Sequence, residues 1–452
     1  MYTEREKREE KTKKLVPFIT TSIMQDLTWA ILLIPLWWIL GIRFFIFHFL
    51  SLWVFVKLLI VKHRDKDKFI FPSECYFLMA FITLYVASFF INLVNIPLFR
   101  ASASLYNLSF WIAGLLIILV IYNSIDKESI LRFLKSFQFF GIVCSLFVLS
   151  AHAFWIFTHK YLSVKSLLYW LLPDRFIELV KSKALLLLSS LELGIVGRDK
   201  LFQKPFPRSP GFNVYSAALG ITMVFMIVMT LAYYKTRKKR SSMPFILFLE
   251  SVALILSLSR MSILAVGAAW LIVFSVVNIN KSSYRIIIAS VSACIVILLI
   301  LVPPKKIGRT FLEFRDESTT SRVKLYKITF KQSLKKPIFG YGFKPRTEEV
   351  PIPVGSHSTY IGVIYKTGFL GLFAIILFWI SILRRWWVQR KSLSDNGILR
   401  PIWFYSGIAL IGGYFWMAVE DLDAPPIVAF FYFIIIGIIL SLNKMKEVHK
   451  ET

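Results

Sequence analysis

The chain has 452 residues, 57% of them hydrophobic and 16% aromatic, with a formal net charge of +28 and a mean hydropathy of +0.66. A single soluble core cannot hide that much apolar surface, so a soluble globular protein is excluded and lipid becomes the solvent for most of the chain. Backbone polar groups in hydrocarbon must pair within helices, and no alternating ten-residue strand pattern argues for a β-barrel.

The start, Met1 to Lys14, is polar and basic, so the first apolar run is expected to remain as an anchor rather than be removed as a leader. Apolar runs then follow at about 22–40, 44–61, 76–97, 105–122, 136–158, 212–234, 243–258, 261–278, 285–302, 358–383, 402–419 and 427–442. The expected fold is all-α and polytopic, with about 12 transmembrane helices. The first two runs, joined by Gly41-Ile42-Arg43, can alternatively form a re-entrant pair, and the runs flanking Arg260 one broken element.

Clustered lysines and arginines orient these runs. Bases gather in the N-terminus, at Lys62–Lys68, Lys127–Lys135, Lys235–Arg240, Lys281–Arg285, Arg384–Lys391 and from Lys444 onward, which marks those pieces as cytoplasmic. The short turns between them are poor in bases: Arg43, Arg100 and Arg260 stand alone. Two longer segments fall on the outer side. The chain therefore divides into N-terminal transmembrane helices (1–158), an outer loop (159–211), central transmembrane helices (212–302), a large outer loop expected to carry catalysis (303–357), and C-terminal helices with a cytoplasmic tail (358–452).

Both outer loops are expected to carry amphipathic helices. In the second, Thr319, Thr320 or Ser321 can cap a helix that Pro337 stops; Val323, Tyr326, Phe330 and Leu334 form one stripe, and Lys324, Lys327, Lys331 and Lys335 the opposite face. Similar segments occur at Leu162–Leu172 and Phe176–Leu188. The positive charge lies in membrane-flanking loops, with no folded basic domain. Anionic lipid and phosphate-bearing lipids are therefore the expected partners, and nucleic acid is not. Cys75, Cys144 and Cys294 match no metal or disulfide spacing and read as small buried hydrophobes.

Few residues carry chemistry. His357, at the outer mouth of a run, can accept a proton near neutral pH; taken alone it reads as an interfacial helix cap, and the arginines on the same side reverse that preference. Arg260 interrupts an apolar stretch, where an unpaired guanidinium costs several kcal/mol. Arg208, in Pro207-Arg-Ser-Pro-Gly-Phe-Asn213, taken alone reads as a solvated loop arginine, but it precedes a helix whose first N–H groups, with the guanidinium, suit a phosphate. Arg322 sits in the first turn of the outer-loop helix. The Asp-x-Asp spacing of Glu420, Asp421 and Asp423 can hold a divalent metal bridging phosphates, but before Pro425-Pro426 these residues read first as caps of the next helix; with Lys366, two to three turns below His357, they can line the same cavity. Glu250 and Lys57, within apolar runs, pair with one another or line a polar cavity. His48 and His152 read as packed residues. No P-loop, His-Glu-x-x-His or Gly-x-Ser-x-Gly motif is present, and Gly340-Tyr-Gly342 reads as a turn.

With these residues in place, the chain resembles the O-antigen ligase and polymerase family of bacterial membrane glycosyltransferases over its C-terminal half to two-thirds. The pieces, in order, are Arg208-Ser-Pro-Gly211, Leu256-Ser-Leu-Ser-Arg260, Thr320-Ser-Arg322 followed by Lys336-Pro-Ile-Phe-Gly-Tyr-Gly342, and Ser356-His357-Ser-Thr-Tyr360 followed by Gly368-Phe-Leu-Gly371. Ser358 stands where the family usually has Asn. The resemblance implies a GT-C-like fold and a site at the outer face of the bacterial inner membrane. Its implied donor is a glycan on a polyprenyl pyrophosphate, and its acceptor the hydroxyl of a glycan or lipid-linked acceptor. It implies a reaction without sugar nucleotide, cofactor or metal, in which Arg208, Arg260 and Arg322 hold the pyrophosphate and His357 is the base. The alternative is a transporter or flippase of lipid-linked saccharides. Polar residues concentrated at one face favour the enzyme, because transporters place them near the midplane within internal repeats.

Overall fold

The computed structural model describes residues 23–183, 185–201, 204–237, 242–278, 316–347, 350, 352–394 and 396–447. The expected run at 285–302 and Cys294 lie outside them.

Sixteen helices are described. The first four are α1 (Ile23–Leu32), α2 (Ile34–Leu40), α3 (Ile46–Arg64) and α4 (Cys75–Asn92). Then come α5 (Leu98–Ser124), α6 (Lys127–Thr158), α7 (Leu167–Leu171), α8 (Asp174–Lys183), α9 (Leu185–Leu191), α10 (Ser216–Thr236), α11 (Met243–Leu256) and α12 (Arg260–Asn278). The last four are α13 (Asp316–Ser333), α14 (Thr359–Ser392), α15 (Leu399–Met417) and α16 (Pro426–Glu447). Among the described residues eight helices are long and apolar enough to cross a membrane, which makes this a multi-pass membrane protein. The bent pair α1–α2 raises that number to nine if it forms one span. The expected 243–258 run makes a helix of 14 residues, and α15 is not among the eight.

The bend between α1 and α2 is 57°. Pro35 lies in the first turn of α2 and has no N–H to return to the preceding turn, so the helix breaks there rather than at Gly41. Gly41 then closes α2 in the left-handed conformation.

The bundle is organised around α10 and α16, whose most apolar windows are 83% and 94% buried. α16 packs on α5 and α14, and α10 on α6 and α15; α3, α4 and α12 lie outside them. The outer helices expose large apolar side chains such as Phe49, Trp53, Ile60 and Phe248, the pattern of surfaces solvated by lipid. Glu250 is fully buried and accepts from Thr230 Oγ1 at 2.9 Å, whereas Lys57 pairs with Asp26 at 2.6 Å. The two therefore do not pair with one another: they sit on helices with different neighbours.

One end of the bundle is tied by Lys444 to the Tyr122 carbonyl (3.1 Å), Ser392 to Asn443 (2.9 Å) and Arg390 to the Val276 carbonyl (2.8 Å). It gathers residues of the segments that clustered bases assigned to the cytoplasm. The opposite end carries the segment 159–211 and the candidate site. That segment is not purely helical. Strands β1 (Leu162–Lys165), β2 (Glu192–Leu201) and β3 (Lys204–Arg208) form an antiparallel sheet in the order β1-β2-β3, alongside α7, α8 and α9. The all-α expectation is corrected here: β1 takes part of the segment read as an amphipathic helix because Leu193 and Val196 of its partner bury towards the core.

A fully buried Arg43 secures this end. Its guanidinium donates to the carbonyls of Phe212 and Asn213 (2.8 Å each), to the Ser189 carbonyl (2.5 Å) and to Ser190 Oγ (3.2 Å). An arginine that reads as solitary in sequence thus pins the corner after α2 to the end of α9 and to the approach to α10.

Candidate functional site

A break in α14 builds the floor of the site. Gly368 has φ 68° and ψ −169° inside an otherwise helical stretch. The turn Gly340-Tyr341-Gly342 docks into the break: Tyr341 N–H donates to the Tyr365 carbonyl (2.9 Å), Gly342 N–H to the Lys366 carbonyl (2.8 Å), and Phe369 N–H to the Pro337 carbonyl (2.7 Å). Both sides require glycine. A Cβ on Gly368 would stand 2.2 Å from the Ile338 carbonyl oxygen, and one on Gly340 would stand 2.6 Å from that of Tyr365. Polar residues inside apolar helices complete the joint: Ser88 Oγ donates to the Lys366 carbonyl (2.6 Å), Asn92 Nδ2 to the Gly340 carbonyl (3.2 Å), and Lys336 Nζ to Asn92 Oδ1 (2.7 Å). The four-residue spacing of Ser88 and Asn92 on α4 was the available signal for this face.

The turn between α15 and α16 forms one wall. Thr359 staples it to the start of α14: its N–H and hydroxyl donate to the Glu420 carbonyl (3.1 and 2.9 Å), and its Oγ1 accepts from Leu422 N–H (2.8 Å). Glu420, Asp421 and Asp423 project from this turn and are buried. Helix capping was the first expectation for them; instead each is a counter-ion. Glu420 Oε1 receives Arg322 at 2.9 Å, and its Oε2 lies 3.7 Å from His357 Nδ1. Asp421 Oδ1 lies 3.0 Å from Lys344, and Oδ2 accepts from the His357 N–H at 3.1 Å. Asp423 binds Lys366 and lies 3.8 Å from Lys344. Buried carboxylates in an apolar bundle need cations more than an exposed helix end needs caps. Lys366 is accordingly buried against Asp423 and lies over the Tyr85 ring (4.9 Å). Lys344, which sequence reasoning missed, is the hub of this network; its position two residues after Gly342 was the only hint.

The opposite wall carries the arginines. Arg208 ends β3 and donates through Nε to the Ser257 carbonyl at 2.9 Å, at the break between α11 and α12 that ends in Arg260. Arg322 donates also to the Val419 carbonyl (3.1 Å). Arg208 feels the charges of Glu420, Arg322 and Arg260, so the three guanidinium groups and this carboxylate share one locality. Burial first, then Arg322 and Arg260, push the Arg208 guanidinium down to about 10 against the pull of Glu420, which leaves it cationic at neutral pH. For Glu420 burial acts upward, but the neighbouring His357 ring and Arg322 outweigh it and hold its carboxyl below the usual range. Asp423 likewise ends below it, as Lys366 and Lys344 overcome its burial. Among the described residues of this locality Arg208, Arg260, Arg322, Lys344 and Lys366 face the carboxylates of Glu420, Asp421 and Asp423, an excess of positive charge suited to an anionic ligand.

His357 itself does not cap α14; Ser358 does, accepting from Ile361 N–H at 3.4 Å. Ser and Asn serve that position about equally, so the departure at 358 is locally conservative. The outer-loop helix starts at Asp316, upstream of the expected caps, and ends at Ser333, short of Pro337. Its face towards α14 is Leu325, Thr329 and Ser333, all buried, while Val323, Phe330 and Leu334 are about half exposed. The expected apolar stripe therefore does not face the core; the small hydroxyls of Thr329 and Ser333 do, because they return their hydrogen bonds to the helix's own carbonyls (2.7 and 2.8 Å). His152 is packed, with Nδ1 2.9 Å from the Val148 carbonyl, and His48 lies among Tyr106 and Phe110. Cys75 and Cys144 are buried free thiols.

Residues 245–376 match the O-antigen ligase family model. The match covers Arg260, Arg322, His357, Lys366 and the docked glycine turn; Arg208 and the three carboxylates lie outside it. No curated protein matches the chain. The matched domain, together with the apolar helices, supports a membrane glycosyltransferase-like role in polysaccharide assembly, with lipid-linked glycans as the implied substrates.

Proposed function

We propose that this site transfers a glycan from a polyprenyl pyrophosphate to a hydroxyl of a glycan or lipid-linked acceptor at the outer face of the cytoplasmic membrane. The observation that carries the proposal is the shared carboxylate: Glu420 contacts Arg322 with one oxygen and approaches His357 with the other, beside Arg208 and Arg260.

In the reaction the bond between the anomeric carbon and the pyrophosphate oxygen breaks, and a bond from the acceptor oxygen to that carbon forms. The leaving pyrophosphate keeps the electron pair. Arg208, Arg260 and Arg322 stabilise the charge that develops on it, through the planar, multidentate contacts guanidinium groups make with phosphate. The acceptor proton passes to His357. Glu420, 3.7 Å away on the Nδ1 side, favours the tautomer that leaves Nε2 free as the base. The positive excess favours the anionic donor over a neutral sugar.

The test uses purified protein in lipid, with a polyprenyl pyrophosphate-linked glycan and an acceptor. His357→Ala and Arg322→Ala are expected to abolish product while the protein still inserts and stays monodisperse. Full transfer by His357→Ala refutes the assignment of the base. Movement of unchanged donor across the bilayer, with no product, supports a transporter instead.

A further inference from the structure

His357 has φ +63°, although it is not a glycine. Side chains rarely adopt this left-handed region, and a residue held there needs surroundings that impose it. Both peptide groups of His357 are held by side chains from other elements. Its N–H donates to Asp421 Oδ2 at 3.1 Å, from the α15–α16 turn, and its carbonyl accepts from the Tyr326 hydroxyl of α13. Burial pushes the Tyr326 hydroxyl up to about 12, so it stays a donor at any working pH. Asp421 is fixed in turn by Lys344 at 3.0 Å. On the N-terminal side Gly355, with φ +85°, donates its N–H to Thr329 Oγ1 at 3.1 Å, and on the C-terminal side Ser358 is already committed as the cap of α14.

We infer that Tyr326 and Asp421 are positioning residues, which clamp the His357 backbone in its left-handed conformation and thereby deliver the imidazole to Glu420. This deepens the proposed transferase reading and rests on it. An extended backbone at 357 would turn the side chain away from the α15–α16 turn, because inverting φ swings Cβ to another side of the chain. The clamp also links three elements: α13, which brings Arg322; the α15–α16 turn, which brings Glu420; and the start of α14. Tyr326 lies one helical turn after Arg322, so a single placement of α13 sets both the guanidinium and the clamp. Its sequence position on an apolar stripe gave no sign of this role.

The test compares kcat and donor KM for Tyr326→Phe, Asp421→Ala, Glu420→Gln and the Tyr326→Phe/Glu420→Gln double variant, each purified in lipid and checked for monodispersity. Tyr326→Phe removes one hydroxyl and is expected to lower kcat about tenfold with donor KM within about twofold of wild type. In the Glu420→Gln background the same change is expected to cost less than about twofold, since there is no longer a carboxylate to meet. Asp421→Ala is expected to lower kcat at least as far as Tyr326→Phe. If the Tyr326 and Glu420 penalties multiply, Tyr326 supports the fold generally and the inference fails. Unchanged kcat in Tyr326→Phe also overturns it. In that case an inactive His357→Ala leaves His357 standing as the base of the proposed transfer, and an active one removes that assignment as well.

Discussion

Arg322 Nη2 stands 2.9 Å from Glu420 Oε1, and this pair joins a helix and a turn almost a hundred residues apart. The other oxygen of the same carboxylate approaches His357. One buried acid therefore fixes the separation of the Arg322 guanidinium and the His357 imidazole, the proposed phosphate-gripping group and base.

Glu420→Gln keeps the shape of that side chain and removes its charge. It is expected to lower kcat about 10²-fold, within the usual range for disabling general-base assistance, while the protein remains folded. Steady-state kinetics in nanodiscs measures this; kcat within about threefold of wild type would refute the role given to Glu420.

Gly368→Ala tests the joint between the glycine turn and α14. The new Cβ meets the backbone at Ile338, which cannot move aside as a flexible side chain would. A loss of stability of about 2 kcal/mol or more is expected, read as a fall of several degrees in the thermal midpoint of the detergent-solubilised protein. A midpoint equal to wild type would show that the break in α14 does not hold the turn.

Arg43→Met removes the clamp between the α2–α3 corner and the 159–211 segment. Two buried carbonyls and a partly buried one lose a charged donor, each buried one costing about 1–3 kcal/mol if left unpaired. Limited proteolysis is expected to cut between residues 159 and 211 faster than in wild type, with the apolar helices still protected. Equal cutting rates would assign the anchoring of this segment to other contacts.

The carboxylates set the pH response. Glu420 and Asp423 have folded values below their ordinary ones, so their pairing contributes stability that is present above the unfolded values of about 4.5 and about 4. That stability is lost as pH falls through the lower, folded values. Wild type is thus expected to lose thermal stability on acidification below about pH 4 more steeply than the Asp423→Asn/Lys366→Met double variant. Parallel curves would exclude the buried pair as the acid-sensitive element.

Sidedness is open to direct labelling. Trp170→Cys, on an exposed position of the 159–211 segment, is expected to react with a membrane-impermeant maleimide in intact cells, and Lys391→Cys only after lysis. Reaction of both in intact cells would place the site end and the basic end on one side and contradict the bundle's polarity.

Composition and charge periodicity alone determined the membrane setting, the helical state of the bundle, and the grouping of Arg208, Arg260, Arg322 and His357 at one end. These follow from local rules: apolar length makes a span, clustered bases choose its side, and alternation carries the rest along the chain. Only tertiary structure decided the partners. Glu420, Asp421 and Asp423 look like helix caps until Arg322, Lys344 and Lys366 arrive from other elements, and Arg43 looks solitary until the carbonyls and hydroxyls of α9 and the approach to α10 close around it. A buried charge draws its partner from whatever segment packs against it, and that segment can lie anywhere in the chain. The left-handed His357 was hidden for the same reason: nothing in Ser356-His357-Ser358 demands that backbone, and Tyr326 and Asp421 impose it from a distance.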